Sequence, residues 1–289
     1  MPSLYARPLA SLWLVHLRIQ MPVFLAKGCP NELTYRLPLE VGSFAHPDAG
    51  FLAKGSQMNP PISYKNRILS ALPKAEISRL APHLSKMVLK QEQGLLDGKA
   101  KYAYFMEDGI ASVVATVEDG TTVEIGVIGI DGVVGIPILL GAGTAPGRTF
   151  IQIEGSGFRI EAQVLKDEFE RPGELRQYLQ KYIQAFIVQT AQTAVCNRLH
   201  SIEERLSRWL LACRDRMESD RLALTHDFLA QMLGAPRTTV TLAAGLLHRA
   251  GLIEYKRGIV IIRNRKGLEK TTCECYHTVR DEFRRLGLL

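Results

Sequence analysis

A segment near the C-terminal end of the chain carries side chains that suit contact with base edges. Arg237, Thr238, Thr241 and Leu242 lie on one face of a predicted helix, opposite an apolar stripe at helical spacing. Arginine can bind guanine in a bidentate manner, and threonine can bond to phosphate or pack on a thymine methyl group. We predict that these four residues read bases in double-stranded DNA. The alternative is an ordinary helical hairpin with a solvated outer face.

Other residues near this helix are suited to contact the phosphate backbone. Residues 252–262 are predicted to form a β-hairpin, and its tip carries Lys256 and Arg257. A basic hairpin beside a reading helix is placed to touch phosphates. With the hydroxyls of Thr225 and Thr239, these two cations are the predicted backbone contacts.

The local sequence also predicts the elements that position these side chains. Thr225 precedes an apolar run and has the properties of a helix N-cap, with Asp227 in the first turn. Gly234 can enter the left-handed conformation that ends a helix, and Pro236 suits the start of the next one. Helix, short glycine-containing turn and helix, followed by a hairpin, make a winged helix-turn-helix over roughly residues 222–265.

The charge distribution supports a polyanionic partner for this end of the chain. The whole protein of 289 residues has a formal net charge of +7. Residues 222–289 contain 11 Lys and Arg against 6 Asp and Glu, a net of +5. Residues 58–197 contain 14 against 15, a net of −1. The basic excess is concentrated where a nucleic-acid surface would need it.

The middle of the chain has the pattern of a sheet-based domain. Residues 64–84 first predict two short helices separated by Pro73. Short β-type segments follow, and residues 118–120 and 155–157 give turn signals between some of them. The strands are predicted at 101–106, 113–117, 121–125, 126–129, 149–154 and 158–162. Many short strands at regular spacing indicate an N-terminal β-roll with a jelly-roll-like double sheet, and an α+β protein overall.

A long helix is predicted between the β-roll and the DNA-binding segment. Leu175, Leu179, Tyr182 and Phe186 repeat at alternating steps of four and three residues, as in a coiled-coil seam. The alternative is an amphipathic helix that packs on its own domain. Its position between two domains favours a dimerisation axis. An amphipathic helix follows over residues 202–213.

Cysteine and histidine usage argues against an enzyme, a metal site and a secreted scaffold. The histidines are scattered, and residues 87–162 contain none. An odd number of cysteines without a framework spacing indicates free thiols in a reducing cytoplasm. The five cysteines are Cys29, Cys196, Cys213, Cys273 and Cys275. No His/Cys pair has zinc-finger spacing, so we expect no metal and no catalytic residues.

The first 57 residues are predicted to be an irregular or disordered extension. The apolar stretch 9–26 is interrupted by charged and polar residues and by Pro22, so we expect no membrane span and no membrane partner. Residues 28–61 are rich in Gly, Pro, Asn and Ser without a sustained period.

Together these features resemble the Crp/Fnr family of bacterial transcription regulators, over about residues 68–265. The most specific motif is Leu224-Thr225-x-Asp227-x-Leu229-Ala230-x-x-Leu233-Gly234-x-x-Arg237-x-x-Val240, followed by Leu246-x-x-x-Gly251-Leu252-Ile253. The resemblance implies a cyclic-nucleotide-binding-like sensor, a dimerisation helix and a winged helix. It also implies a homodimer on a pseudo-palindromic operator, with RNA polymerase as a further partner of an activator. Family sensors commonly begin near Met58, so residues 1–57 are either an extension or not part of the native protein.

Departures from the family pattern alter what it implies about ligands. Ile136 stands where cyclic-AMP-binding members have a carboxylate for the ribose, which argues against cyclic AMP. Arg148 and Thr149 stand in place of the phosphate-binding pair, so Arg148 either holds a small anionic effector or is a surface arginine. Thr238 and Leu242 replace the family's base-reading Glu and a following Arg, so the operator should differ.

Oxygen-sensing relatives use an N-terminal cysteine cluster for an iron–sulfur centre. Only Cys29 lies in that region here, so we expect no such cluster. The predicted domains are an extension (1–57), the β-roll sensor (58–172), the dimerisation helix (173–197) and the winged helix-turn-helix domain (198–289).

Overall fold

The fold is described by a computed structural model for residues 63–289. The predictions for residues 1–57 lie outside the described residues. The described chain begins with two short helices, α1 (Arg67–Ala71) and α2 (Lys74–Leu80), and a 3₁₀ turn (Ala81–His83). Pro73 is the N-cap of α2, so this proline separates the two helices as predicted.

Eight strands then form two four-stranded antiparallel sheets. One sheet has the order β1-β8-β3-β6 and the other the order β2-β7-β4-β5. The strands are β1 (Ser85–Leu89), β2 (Gly94–Lys99), β3 (Tyr102–Met106), β4 (Ile110–Thr116), β5 (Thr122–Ile128), β6 (Val133–Val134), β7 (Thr144–Ile153) and β8 (Gly155–Glu161). A short helix, α3 (Ile136–Leu139), lies between β6 and β7. Apolar side chains from both sheets fill the space between them, which confirms the predicted β-roll.

Two local predictions in the β-roll were wrong, one of a strand and one of a turn. Residues 126–129 are not a separate strand, because β5 continues through them to Ile128. Residues 155–157 are not a turn but the start of β8, and the chain passes from one sheet to the other at Glu154. A Cβ atom added to Gly155 would lie 2.3 Å from the Asp108 carbonyl oxygen. This glycine is needed for the close approach of two backbones rather than for a turn.

Two helices follow the β-roll, α4 (Ala162–Glu170) and α5 (Glu174–Leu199). The predicted long helix is therefore confirmed. The residues predicted to form its coiled-coil seam, however, pack inside the same chain. Leu175, Leu179 and Tyr182 are buried in the core of the β-roll of the same chain, and Phe186 is half-buried against it. A stripe repeating every three to four residues fits a sheet as well as a partner helix, so spacing alone did not identify its contact.

The C-terminal part starts with α6 (Ile202–Met217), which Ser201 and Glu204 cap reciprocally. Next come β9 (Arg221–Ala223), α7 (His226–Leu233), α8 (Arg237–Arg249), β10 (Ile253–Lys256) and β11 (Ile259–Ile262). The three strands form one sheet in the order β10-β11-β9. Two last helices follow, α9 (Arg265–Thr271) and α10 (Glu274–Arg285). The winged helix-turn-helix is confirmed.

Helix α10 returns to the first half of the molecule. It packs against α5, and Phe283 and Leu288 join the core of the β-roll. No sequence pattern indicated this return.

Among residues 63–289, no helix combines the length and the apolar character that crossing a bilayer requires.

Candidate nucleic-acid interface and its connection to the β-roll

The helix-turn-helix is built by the local signals that predicted it. The Thr225 hydroxyl accepts a hydrogen bond from the Phe228 N–H (3.2 Å) and caps α7. Gly234 ends α7 with φ at 55°, in the left-handed region. Pro236 is the N-cap of α8. Helix α8 buries an apolar stripe, which fixes the face that it turns outward. The stripe consists of Val240, Ala243, Ala244 and Leu247.

The predicted base-reading side chains are all exposed on α8. They are Arg237, Thr238, Thr241 and Leu242, and Leu242 is 70% exposed. Arg237 Nη1 lies 3.2 Å from an oxygen of Asp227, and both side chains are 66% exposed. Such an exposed ion pair contributes at most about 1 kcal/mol, so Arg237 is oriented but remains free to turn to a base.

His226 connects the reading helix to the wing. Its Nδ1 lies 3.1 Å from the Thr241 hydroxyl, and its ring stacks on Tyr255 with centroids 4.0 Å apart. Partial burial lowers the pKa of His226, Arg237 lowers it further, and Asp227 acts in the opposite direction. The sequence did not point to His226, because no local pattern signals a contact with a residue so distant in the chain.

The wing presents its two cations at a tight turn. Arg257 and Gly258 both have positive φ (50° and 74°), as a two-residue hairpin turn requires. Lys256 and Arg257 are exposed, while Thr239 is half-buried in the first turn of α8. The Leu224 N–H donates to the Gly258 carbonyl (2.8 Å), which ties the wing to the start of the motif. Contacts therefore link the predicted base-reading face and the base of the wing.

The first helix of the motif packs against the β-roll. Gln231 Nε2 donates to the Thr122 hydroxyl on β5 (2.8 Å). Phe228 of α7 meets Phe150 of β7 edge to face, with ring centroids 6.2 Å apart. The position of the helix-turn-helix is thus set by direct contact with one sheet of the β-roll.

A buried carboxyl group connects α6 to the same sheet. Trp209 Nε1 donates to Glu124 Oε1 (2.7 Å), and the Ser112 hydroxyl lies 2.6 Å from the other oxygen. Ser112 also contacts the buried Gln152. Burial raises the pKa of Glu124 to about 7, although the hydrogen bonds from Ser112 and Trp209 act in the opposite direction.

A buried ion pair lies at the meeting point of several elements. Arg216 Nε, on α6, is 3.0 Å from Asp131 Oδ2, and the two side chains are 7% and 2% exposed. The guanidinium also donates to the Ala212 carbonyl (3.1 Å) and lies over the Phe283 ring of α10, 5.3 Å from its centroid. Its Nη2 is 3.5 Å from Gln189 on α5. One side chain therefore joins the β-roll, α5, α6 and α10.

The two candidate effector-binding residues do not share a cavity. Thr149 is buried and lines a cavity of about 180 Å³ inside the β-roll. Arg148 points to the opposite face of β7, as strand alternation requires, and its guanidinium lies over the Phe150 ring (5.4 Å). Among the described residues, no charged side chain lines the cavity, and Phe186 of α5 closes one side. Its other lining residues are Leu96, Val113, Ile125, Ile128, Val134, Gly135, Ile136, Pro137 and Gly147.

The chain joins a β-roll through a long helix to a winged helix-turn-helix whose second helix exposes one face. Residues 204–271 match the model of the Crp-like helix-turn-helix domain. This match identifies a Crp-like helix-turn-helix domain in that segment, which reaches from α6 to α9. No curated protein sequence matches the chain significantly.

Solved structures share the fold at low sequence identity. FixK2 from Bradyrhizobium japonicum has a TM-score of 0.57 and 16% identity, over 66% of this chain and 98% of its own. The c-di-GMP-responsive regulator CLP from Xanthomonas campestris has a TM-score of 0.54 and 16% identity, over 66% and 99%. A Crp/Fnr-family regulator from Thermus thermophilus has a TM-score of 0.53 and 19% identity, over 65% and 97%.

Proposed function

We propose that the protein is a homodimeric, sequence-specific DNA-binding regulator whose β-roll senses an effector other than cyclic AMP. The observation that carries the proposal is the exposed face of α8, with Arg237, Thr238 and Thr241, which His226 links to the wing. The buried stripe of α8 holds this face in place. As an activator the protein would also contact RNA polymerase.

Arg237 is the side chain from which we expect the largest loss of specific binding. Arg237→Ala should weaken binding to the operator by about 1–3 kcal/mol, because a bidentate contact to guanine is lost. The operator is first selected from a random DNA pool, and affinity is then measured by gel shift over a range of salt concentrations.

Arg249→Ala is the matched control. Arg249 is exposed and lies in the last turn of the same helix, away from its N-terminal reading positions. It should leave the preference for the operator unchanged. Wild-type protein that binds selected and random DNA equally well would overturn the specificity, whatever the variants do.

The outer face of α5 supports the dimer. Ile187, Val195 and Leu199 are 56%, 40% and 70% exposed, and with Ala191 they follow one another at intervals of four residues. Exposed apolar side chains in a row on a long helix are typical of a helix–helix interface. We therefore assign the dimer contact to this stripe. The residues that spacing predicted for it, Leu175, Leu179 and Tyr182, are covered by the β-roll of the same chain.

Introducing charge into this stripe should separate the subunits. We expect the double variant Ile187→Glu/Val195→Glu to be a monomer and to bind a palindromic operator on the order of 10- to 100-fold more weakly, because one reading head then binds without its partner. Sedimentation velocity and gel shift measure the two effects. Val88→Glu on β1 is the control, since Val88 is 64% exposed and far from α5 in the chain. A double variant that sediments as the wild type would contradict the interface.

The cavity supports an effector that is largely apolar. Among the described residues, its lining offers the Thr149 hydroxyl but no cation to a phosphate, and Ile136 faces it where a nucleotide would need a carboxylate. An anionic effector would have to bind outside, at Arg148. A ligand in the cavity would contact Phe186 and thereby the helix that carries the proposed dimer stripe. Thermal shift with panels of apolar and anionic small molecules discriminates between the two locations, with Thr149→Val and Arg148→Ala as the matched variants.

A further inference from the structure

Three cysteines and a histidine meet where the end of α5 approaches the start of α10. Cys196 is on the last turn of α5 and His200 is its C-cap, while Cys273 is the N-cap of α10 and Cys275 lies in its first turn. One donor atom from each of the four lies within 4.8 Å of every other. All three cysteines are buried, and the His200 side chain is 13% exposed.

Two of the distances between these donor atoms are close to those between the ligands of a tetrahedral zinc ion. The sulfurs of Cys196 and Cys273 are 3.5 Å apart, and the Cys275 sulfur is 3.6 Å from His200 Nδ1. Zn–S bonds of about 2.3 Å and Zn–N bonds of about 2.0–2.1 Å in a tetrahedron separate two sulfurs by about 3.8 Å and sulfur from nitrogen by about 3.6 Å. A mononuclear ion fits this spacing, whereas a multinuclear iron–sulfur cluster would hold its ligands farther apart.

The other nitrogen of His200 has the partner that metal-binding histidines use. Its Nε2 lies 3.3 Å from a carboxylate oxygen of Glu274. A carboxylate on the distal nitrogen fixes the tautomer that leaves Nδ1 free to ligate, and it holds the ring in place.

The charge around the cluster also calls for an anion. Arg208 on α6 is 8% exposed, and its Nε has no hydrogen-bond partner within the described chain. Arg208 and Cys275 line the same small cavity. Three thiolates with one divalent cation would carry a net charge of −1, which is opposite in sign to this buried arginine.

We propose that Cys196, His200, Cys273 and Cys275 form a structural binding site for a divalent, thiophilic metal ion of the zinc class. Four protein ligands leave no open position, which is the arrangement of a structural rather than a catalytic site. The ion would fasten the C-terminal helix to the end of the long helix. Binding releases the thiol protons, so the affinity should fall at acidic pH. The site does not depend on whether the protein binds DNA.

Metal analysis of the full-length protein, purified under anaerobic conditions with zinc in the medium, tests the site. We expect about one zinc ion per chain. The double variant Cys273→Ser/Cys275→Ser should lose it, while Cys213→Ala, which removes a buried cysteine outside the cluster, should keep it. Metal retained by the double variant would overturn the proposal.

A second measurement on the wild type does not depend on how the variants fold. Zinc is removed with a chelator and replaced by cobalt(II), which should give the intense visible absorption of a tetrahedral thiolate complex. Loss of the metal should also lower the melting temperature. An absent cobalt spectrum overturns the site, as does a Cys196–Cys273 disulfide found by mass spectrometry in the anaerobic protein.

Discussion

Replacing Asp131 with alanine is expected to lower the free energy of unfolding by about 3–5 kcal/mol. Arg216 would remain buried between the β-roll and three helices without the carboxylate 3.0 Å away that compensates its charge. The loss is much larger than for a surface ion pair, because water cannot replace the missing partner. Urea unfolding of the two proteins, followed by fluorescence and circular dichroism, measures the difference.

Glu218→Gln provides the matched control. Glu218 pairs with Arg67 at 3.3 Å and also bridges the two halves of the molecule, but its side chain is 68% exposed. Its loss should cost less than about 1 kcal/mol. Adding Arg216→Met to Asp131→Ala should recover part of the stability, since the charge that lacks a partner is then removed. Equal losses of unfolding free energy in Asp131→Ala and Glu218→Gln would show that the buried ion pair stabilises the protein no more than the exposed one.

The second large effect is expected from pH rather than from a lost contact. Glu124 is buried between Ser112 and Trp209, and its pKa is raised from an ordinary 4.5 to about 7. Below pH 4.5 the carboxyl group is protonated in both folded and unfolded protein. Between pH 4.5 and 7 the unfolded chain releases this proton and the folded chain retains it. The contribution of Glu124 to stability therefore falls by on the order of 3 kcal/mol as pH rises through this window.

Glu124→Gln should abolish this fall, because glutamine is neutral at every pH and still accepts a hydrogen bond from Trp209. The measurement is the difference in unfolding free energy between wild type and variant from pH 4.5 to 8. His226 contributes in the opposite sense, since its lowered pKa costs stability as pH falls below 6.5. That contribution is common to both proteins and cancels in the difference. Parallel pH profiles would show that Glu124 is ionised in the folded protein throughout.

The parts of the fold that sequence predicted well are those set by neighbours in the chain. Thr225 caps α7, Gly234 ends it, and the wing turns at Arg257 and Gly258, all through local backbone geometry. The hairpin of β4 and β5 follows for the same reason from its turn at residues 118–120. The predicted reading face is exposed because a periodic stripe on α8 determines its opposite side.

The parts that sequence did not predict depend on contacts between distant segments. The spacing of Leu175, Leu179 and Tyr182 shows that one face of α5 is buried, but not that a sheet of the same chain covers it. The four candidate metal ligands lie in two segments separated by about 70 residues. Neither segment has the spacing of a zinc site, so only the return of α10 to α5 brings them together. The opposed directions of Arg148 and Thr149 likewise required the strand register.

Phe186 closes the cavity and also touches β5, where a Cβ atom on Gly126 would lie 2.9 Å from its ring. The other end of β5 holds α7 through Thr122 and Val123. A molecule in the cavity and a duplex on α8 would thus act on the same strand from its two ends. Thermodynamic linkage makes such an influence mutual: a ligand that strengthens DNA binding by some factor must itself bind more tightly, by that factor, to the DNA-bound protein. If the effector strengthens DNA binding, an effector that binds the free protein too weakly to detect should therefore bind detectably to the complex of the protein with its operator.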